Sequence, residues 1–343
     1  MWFGTRPLKD GDDLVGATLA HSEQIAARRK LRKGHVLTSD DLYAMREAGI
    51  AEVTVAIPEP GDMMEDAAAA HIADVFALEG FRREDVGTGR VNFHAVADGL
   101  LVLAADRIDA LNRIDPAITL ATLPNFAHVR AGQMIATVKI IPFAVAGKLV
   151  EQAAAEVGKP DTIRVHGFRD GLKVAIIQTS VKGTKPSVLD KTVRVTEARL
   201  QQVHAELVDE TRTAHASADL SSQIRDKLEI SDMVLVFGAS AVTDRRDVIP
   251  QAIMQAGGTI RHVGMPVDPG NLLVLGEIEG KPVIGAPGCA RSPKENGFDW
   301  ILWRLCAGLD VTGDDIVSMG VGGLLTEIPL RPHPRETASP VDN

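Results

Sequence analysis

Residues 234–253, VLVFGASAVTDRRDVIPQAI, constrain the fold more than any other stretch of the chain. Val234, Leu235, Val236 and Phe237 form an unbroken apolar run, the pattern of a strand buried on both faces. Gly238, Ala239 and Ser240 are small enough to let backbone amides approach a ligand. Asp247 precedes Val248, Ile249 and Pro250, and proline is tolerated only in the first turn of a helix, so Asp247 is the expected N-cap. Strand, turn and helix start together aim free amides and a positive dipole end into the crevice at a strand's carboxyl end, where open α/β sheets bind ligands. Arg245 and Arg246 add charge suited to phosphate. The plainer reading of the same residues is a βα turn with solvated arginines and a capping aspartate.

The surrounding sequence repeats the alternation. LKVAIIQTS (172–180) reads as a strand and VKGTKPSVLDK as a lysine-rich loop, with a helix from about 188 to 204 whose start Ser187 and Asp190 would cap. ELVDETRTAH gives a strand and ADLSSQIRDKLEI a helix. TIRHVG (259–264), LLVLGEIEG (272–280) and KPVIGA are further strands. In the next segment Ser292, Pro293 and Glu295 satisfy a capping box, so a helix is expected from Pro293 to Gly308. Such alternation implies a three-layer α/β/α domain with a largely parallel sheet.

The first 160 residues have a different texture. Residues 1–60 read as a β-rich module with one helix, starting at Thr38 or Ser39 and stopping at Gly49; Lys30, Arg32, Lys33 and His35 mark a basic edge or a solvated face. Residues 61–160 read as a helix (62–80, with His71 on its apolar-leaning face) followed by a small β-barrel-like module, in which VRAGQMIATVKII is a strand–turn–strand. The α/β domain spans 161–310. Residues 311–343 form an extension, with short strands and turns over 309–330 and a disordered tail, RPHPRETASPVDN.

Composition narrows the function classes. A formal net charge of −9 argues against a general nucleic-acid or membrane-surface binder, so an anionic ligand needs a local basic patch. Two cysteines, Cys289 and Cys306, exclude a disulfide framework and a thiolate metal cluster. The histidines show neither HExxH nor a paired Cys/His spacing, so no metal ligand set is assigned. The N-terminus has no apolar signal region and no apolar run approaches about 18 residues, so a cytoplasmic protein is expected.

If the three strands before them are parallel, the loops 179–191, 238–247 and 286–295 share one edge of the sheet. Lys182, Lys185, Lys191, Arg245, Arg246, Arg291 and Lys294 would then form the required patch, with Thr179, Ser187, Ser240, Thr243 and Ser292 as neutral donors. Asp190, Asp244 and Asp247 could cap helices, hold Mg²⁺ against a phosphate or move a proton.

At this point the motifs resemble a known family. Arg246-Asp247-Val248-Ile249-Pro250, Ala286-Pro287-Gly288-Cys289-Ala290 and LDKTVRV (189–195) are similar to motifs of the molybdopterin-binding domains of molybdenum-cofactor biosynthesis, the family of molybdopterin adenylyltransferases and molybdotransferases. The ordering of KPSVLDKTVRVTE, GASAVTDRRDVIP, GMPVDPGN and GAPGCARSPKENGFDW further resembles the molybdopterin-binding half of bacterial proteins fused to a cytidylyltransferase-like domain. The likeness covers residues about 170–308, and the N-terminal β module looks like the one that precedes this domain in molybdotransferase-like chains.

The resemblance implies a pterin phosphate bound by Thr179, Lys185, Ser187, Asp190, Lys191, Gly238, Ala239, Ser240, Thr243, Arg245, Arg246, Pro287, Gly288, Cys289, Arg291, Ser292 and Lys294. It also implies a catalytic role for Asp247, with Mg²⁺ and ATP or CTP as co-substrates. Ala239-Ser240-Ala241 stands where the family keeps glycines, and Cys289 where it keeps Asn or Gln. Cys289 beside Arg291 is either a thiolate that could meet the dithiolene or metal, or a small residue filling a turn. Three functions remain open. One is a molybdopterin-binding protein acting in metal insertion or nucleotide attachment. Another is a non-catalytic carrier for a separate nucleotidyltransferase or a molybdoenzyme. The third is a domain redirected to another phosphorylated pterin or nucleotide. The relatives' habits imply a homo-oligomer.

Overall fold

The computed structural model describes residues 1–8 and 13–325. The chain divides into two compact units, Met1–Gly167 and Phe168–Asn343.

Among the described residues, the first unit contains two hydrophobic clusters. Strands β1 (Trp2–Pro7), β2 (Thr18–Leu19), β3 (Glu23–Ala26), β4 (Arg29–Leu31) and β5 (Glu52–Ile57) surround helix α1 (Ser39–Glu47). Leu19, Leu37, Leu42, Met45 and Val55 are buried together among them. Thr38 caps α1 and exchanges a reciprocal capping box with Asp41. Burial alone would raise the Asp41 carboxyl, but hydrogen bonds from His35 and Thr38 outweigh it and hold the group below the usual carboxylate range. The chain continues through β6 (Asp62–Met64), α2 (Glu65–Asp74), β7 (Phe81–Asp85), β8 (Arg90–Ala95), β9 (Gly99–Leu103) and α3 (Ala105–Ile114). It is completed by β10 (Ile118–Thr122), β11 (His128–Val129), β12 (Met134–Ile140), β13 (Ala144–Ala146), α4 (Gly147–Val157) and β14 (Ile163–Gly167). Phe93 anchors this second cluster, with Phe76 and Phe81 packed edge-on at 5.1 and 5.5 Å. VRAGQMIATVKII is a strand–turn–strand as expected, but its two strands do not pair with each other: β11 pairs with β9, and β12 with β8 and β10.

The second unit is the α/β domain. Its elements are β15 (Leu172–Ser180), α5 (Pro186–Gln202), β16 (Ala205–Ala214), α6 (Ser217–Leu228), β17 (Met233–Phe237), α7 (Val248–Gln255), β18 (Thr259–Val263), β19 (Val274–Ile278), β20 (Lys281–Ala286), α8 (Gly297–Cys306) and α9 (Gly313–Ser318). The sheet order is β16-β15-β17-β20-β19-β18. The first four strands are parallel, and β19 runs antiparallel to β20 and β18. Ala175, Ile177, Val234, Val236, Val274 and Val283 pack one face of the sheet against α6 and α7. On the opposite face, alternate residues such as Ile176, Leu235 and Phe237 are equally buried, and Phe237 meets Phe298 of α8 at 6.4 Å. The continuous apolar runs are therefore what a sheet covered on both sides requires. β19 and β20 are joined by Glu279 and Gly280, both at positive φ (50° and 79°).

Three helix starts differ from the sequence expectation. The helix expected over 62–80 is α2, which begins only at Glu65 and ends at Asp74, because Asp62–Met64 pair with Ala144–Ala146 as β6 and β13. α5 begins at Pro186 with Lys185 as an N-cap that makes no side-chain cap bond; Ser187 is exposed in the first turn and Asp190 bonds elsewhere. The fixed φ of proline at the first position sets the start without help from a cap. α8 begins at Gly297, capped by a reciprocal box between Asn296 and Asp299, not by Ser292 and Glu295. Residues 309–325, expected as strands and turns, contain α9, which is closed by its own Thr312–Asp315 box. The tail 331–343 lies outside the described residues.

Candidate functional site: the carboxyl edge of the parallel strands

The parallel register aligns Gln178 of β15 with Phe237 of β17, and Phe237 with Ala286 of β20. The three loops that follow these strands therefore leave the sheet at one level and one edge. β16 ends at the same edge, since Ser180 is in register with Ala214.

The Gly238–Ala239 peptide is fixed from both ends. Arg291 donates to the Gly238 carbonyl at 3.1 Å, and the Ala239 amide donates to Thr179 Oγ1 at 2.8 Å. Gly238 itself has no room for a side chain: a Cβ would lie 2.7 Å from the Ser240 carbonyl oxygen and 3.1 Å from Ile249 Cδ1. Gly238→Ala is expected to cost about 1–3 kcal/mol, because backbone and not a flexible side chain must move. Urea denaturation of the pure variant measures this, and an unchanged midpoint would count against the tight turn.

Arg291 lies in a short 3-10 turn, Gly288–Arg291, half-buried at the centre of the edge. It donates to Gln178 Oε1 at 3.0 Å and Thr192 Oγ1 at 2.6 Å, and its guanidinium sits over the Phe237 ring at 5.3 Å. All these acceptors are neutral, and burial lowers its pKa from the usual guanidinium value. Gln178 passes the network on, donating to the Leu189 carbonyl and to Glu210, which also accepts from Arg212; Arg212 in turn holds Asp190 at 2.6 Å.

Arg199 of α5 builds the third loop. It is 6% exposed. Its Nε donates to Asp299 at 2.6 Å, and its terminal nitrogens donate to the carbonyls of Ala290, Ser292 and Lys294 at 2.8, 2.6 and 3.0 Å. Carbonyls turned toward this guanidinium cannot enter a helical ladder, which is why the helix waits until Gly297 although Ser292 and Pro293 would start one locally.

Of the remaining sequence-derived residues, Asp247 caps α7 as expected. Its two oxygens accept from the amides of Val248 (2.7 Å) and Thr243 (3.1 Å). Asp244 pairs with Arg246 at 2.8 Å on the surface, and that hydrogen bond draws its carboxyl below the usual range. Lys182, Lys185, Ser187, Lys191, Ser240, Thr243, Arg245, Gly288 and Lys294 are exposed, whereas Cys289 and Ser292 are half-buried and Pro287 is buried. Thr179 is fully buried, and its hydroxyl is engaged by Ala239 and His215. Local sequence does not mark Arg199, Gln178, Thr192, Asp299 or His215 as site residues. Three carboxylates at the edge are thus committed to amides or arginines, and among the described residues no three His, Cys, Asp or Glu side chains are grouped to hold a metal ion.

Among the described residues, no helix is long and apolar enough to cross a membrane. Residues 12–57 match a domain of unknown function, DUF8806. No curated protein matches the chain. Solved structures similar to it include a molybdopterin biosynthesis moea protein from Pyrococcus horikosii, at 15% identity over 72% of this chain and 79% of that one, TM-score 0.31. The molybdopterin biosynthesis enzyme MoaB from Thermus thermophilus is similar at 15% identity over 40% of this chain and 97% of that one, TM-score 0.29. The protein CinA from Thermoplasma acidophilum, described as of unknown function, is similar at 14% identity over 37% of this chain and 92% of that one, TM-score 0.28.

Proposed function

We propose that the loop edge of the second unit binds a molybdopterin-class ligand through its phosphate and holds it for a later step of cofactor maturation. The observation that carries this reading is Arg291, a half-buried cation with only neutral partners, set where three parallel strands deliver their loops. Exposed Lys185, Lys191, Arg245 and Lys294 supply the surrounding positive charge. The Arg-Asp-Val-x-Pro and Pro-Gly motifs direct the choice of ligand toward the pterin phosphate.

Asp247 favours the carrier version over the enzyme version. Both of its oxygens accept backbone amides, so its carboxylate is part of the turn that forms the site. In this reading a separate nucleotidyltransferase or a molybdoenzyme takes the ligand from the chain, and any nucleotide brings its own Mg²⁺. Isothermal titration of the intact protein with molybdopterin and with its adenylylated form tests the reading; no heat of binding with either ligand rejects it. Incubation with molybdopterin, ATP and Mg²⁺ separates the versions. Turnover that collapses in Asp247→Ala while binding survives establishes the enzyme, and binding without turnover establishes the carrier.

A further inference from the structure

We infer that His215 is a ligand-contacting residue of this edge, with its Nε2–H preset as a donor to an anionic oxygen. The inference rests on the reading of the edge as an anion site and adds a fourth strand to it.

The argument starts from Thr179, which is 0% exposed. Its Oγ1 accepts the Ala239 amide at 2.8 Å and lies 2.8 Å from His215 Nδ1. A hydroxyl carries one proton, and in a buried position that proton needs an acceptor. Nδ1 of a neutral imidazole provides it. The ring proton then resides on Nε2, because a neutral imidazole donates from one nitrogen and accepts at the other. The opposite tautomer would aim Nδ1–H at Oγ1 and leave the threonine proton buried without an acceptor. The Thr179 contact thus selects the tautomer, and Ala239 fixes the hydroxyl that makes the contact.

His215 directly follows the end of β16, whose last residue, Ala214, is in register with Ser180. It therefore leaves the sheet beside the 179–191 loop. The ring is partly exposed, and among the described residues Nε2 has no hydrogen-bond partner. A neutral, directional N–H differs from the lysines around it, which attract any anion. It recognises an oxygen at one place, and a phosphate monoester presents such oxygens.

Imidazole ¹⁵N NMR on the full chain tests the tautomer without any ligand. For the neutral ring the expected spectrum has His215 with a protonated Nε2 and a bare Nδ1; a protonated Nδ1 with a bare Nε2 overturns the inference. Titration with inorganic phosphate and with molybdopterin, followed by NMR and calorimetry, tests the contact. We expect the Nε2–H resonance to move on binding and His215→Ala to weaken affinity roughly tenfold, with partial recovery in His215→Gln, whose amide restores a donor. If wild type binds and its Nε2–H resonance does not move, the inference fails while the anion site stands. If wild type binds neither probe, the anion-site reading fails and this inference with it. Because the spectral arm uses wild-type protein, a misfolded variant does not decide the outcome.

Discussion

Arg199→Leu is expected to lower the stability of the second unit by about 3–5 kcal/mol, the usual cost of removing one partner from a buried ion pair. The substitution strands the Asp299 carboxylate and the carbonyls of Ala290, Ser292 and Lys294, all of which now accept from one guanidinium. Trp300 and Trp303 lie in α8, immediately past the loop that Arg199 holds, so their fluorescence in urea reports the change. Burial already pushes the Asp299 carboxyl above its ordinary range, and Arg199 pulls it back in part. Without Arg199 the folded-state pKa rises further above the unfolded one. A raised carboxyl means the folded state holds its proton more tightly, so its stabilising effect is present at low pH and lost as pH rises through the folded pKa. The deficit of Arg199→Leu should therefore be largest at neutral pH and shrink on acidification. Arg199→Leu/Asp299→Leu should recover part of it, because an apolar pair removes the stranded charge. A single-variant midpoint equal to wild type at neutral pH would mean that the loop is held by something else.

Arg291→Met is expected to weaken binding of molybdopterin by roughly 30–100-fold, corresponding to about 2–3 kcal/mol for charge-assisted hydrogen bonds in a partly desolvated site. Methionine keeps an apolar stem over Phe237 but leaves Gln178, Thr192 and the Gly238 carbonyl without their donor. The cation has no carboxylate partner among the described residues, and in the proposed reading a bound phosphate would supply the opposite charge. Arg246→Met is the contrast. That arginine is exposed and already paired with Asp244, so its loss should change affinity by less than about threefold. Calorimetry on both variants decides the matter, and equal affinities for Arg291→Met and wild type would remove Arg291 from the site.

Much of the second unit is legible from local sequence. β15 runs over the residues that its apolar pattern marks, and Asp247 caps α7 because Pro250 leaves the helix nowhere else to begin. Local signals misplace α8 for an identifiable reason. Ser292, Pro293 and Glu295 form a sound helix start, but Arg199, about ninety residues earlier, claims the carbonyls that the helix would need. Distance in sequence hides His215 and Gln178 in the same way. Each reads as ordinary strand text, and its partners come near only once β15, β16 and β17 pair in parallel. Thr179 shows the converse. Its hydroxyl looks available in the sequence, yet strand pairing buries it and turns it into a fixture for the Ala239 amide and His215.

The Glu279–Gly280 connection has a kinetic consequence. Two successive residues at positive φ form the tight reversal that matches the twist of paired strands, so β19 and β20 can meet by closing a two-residue loop, an event on the order of microseconds. β15, β17 and β20 meet only after long crossovers are closed, and such distant pairings form more slowly. The antiparallel margin of the sheet should therefore gain protection from hydrogen exchange before the parallel centre during refolding. A nascent chain would hold a formed hairpin while its loop edge is still unassembled, and if that edge binds the proposed ligand, ligand capture would mark the completion of folding.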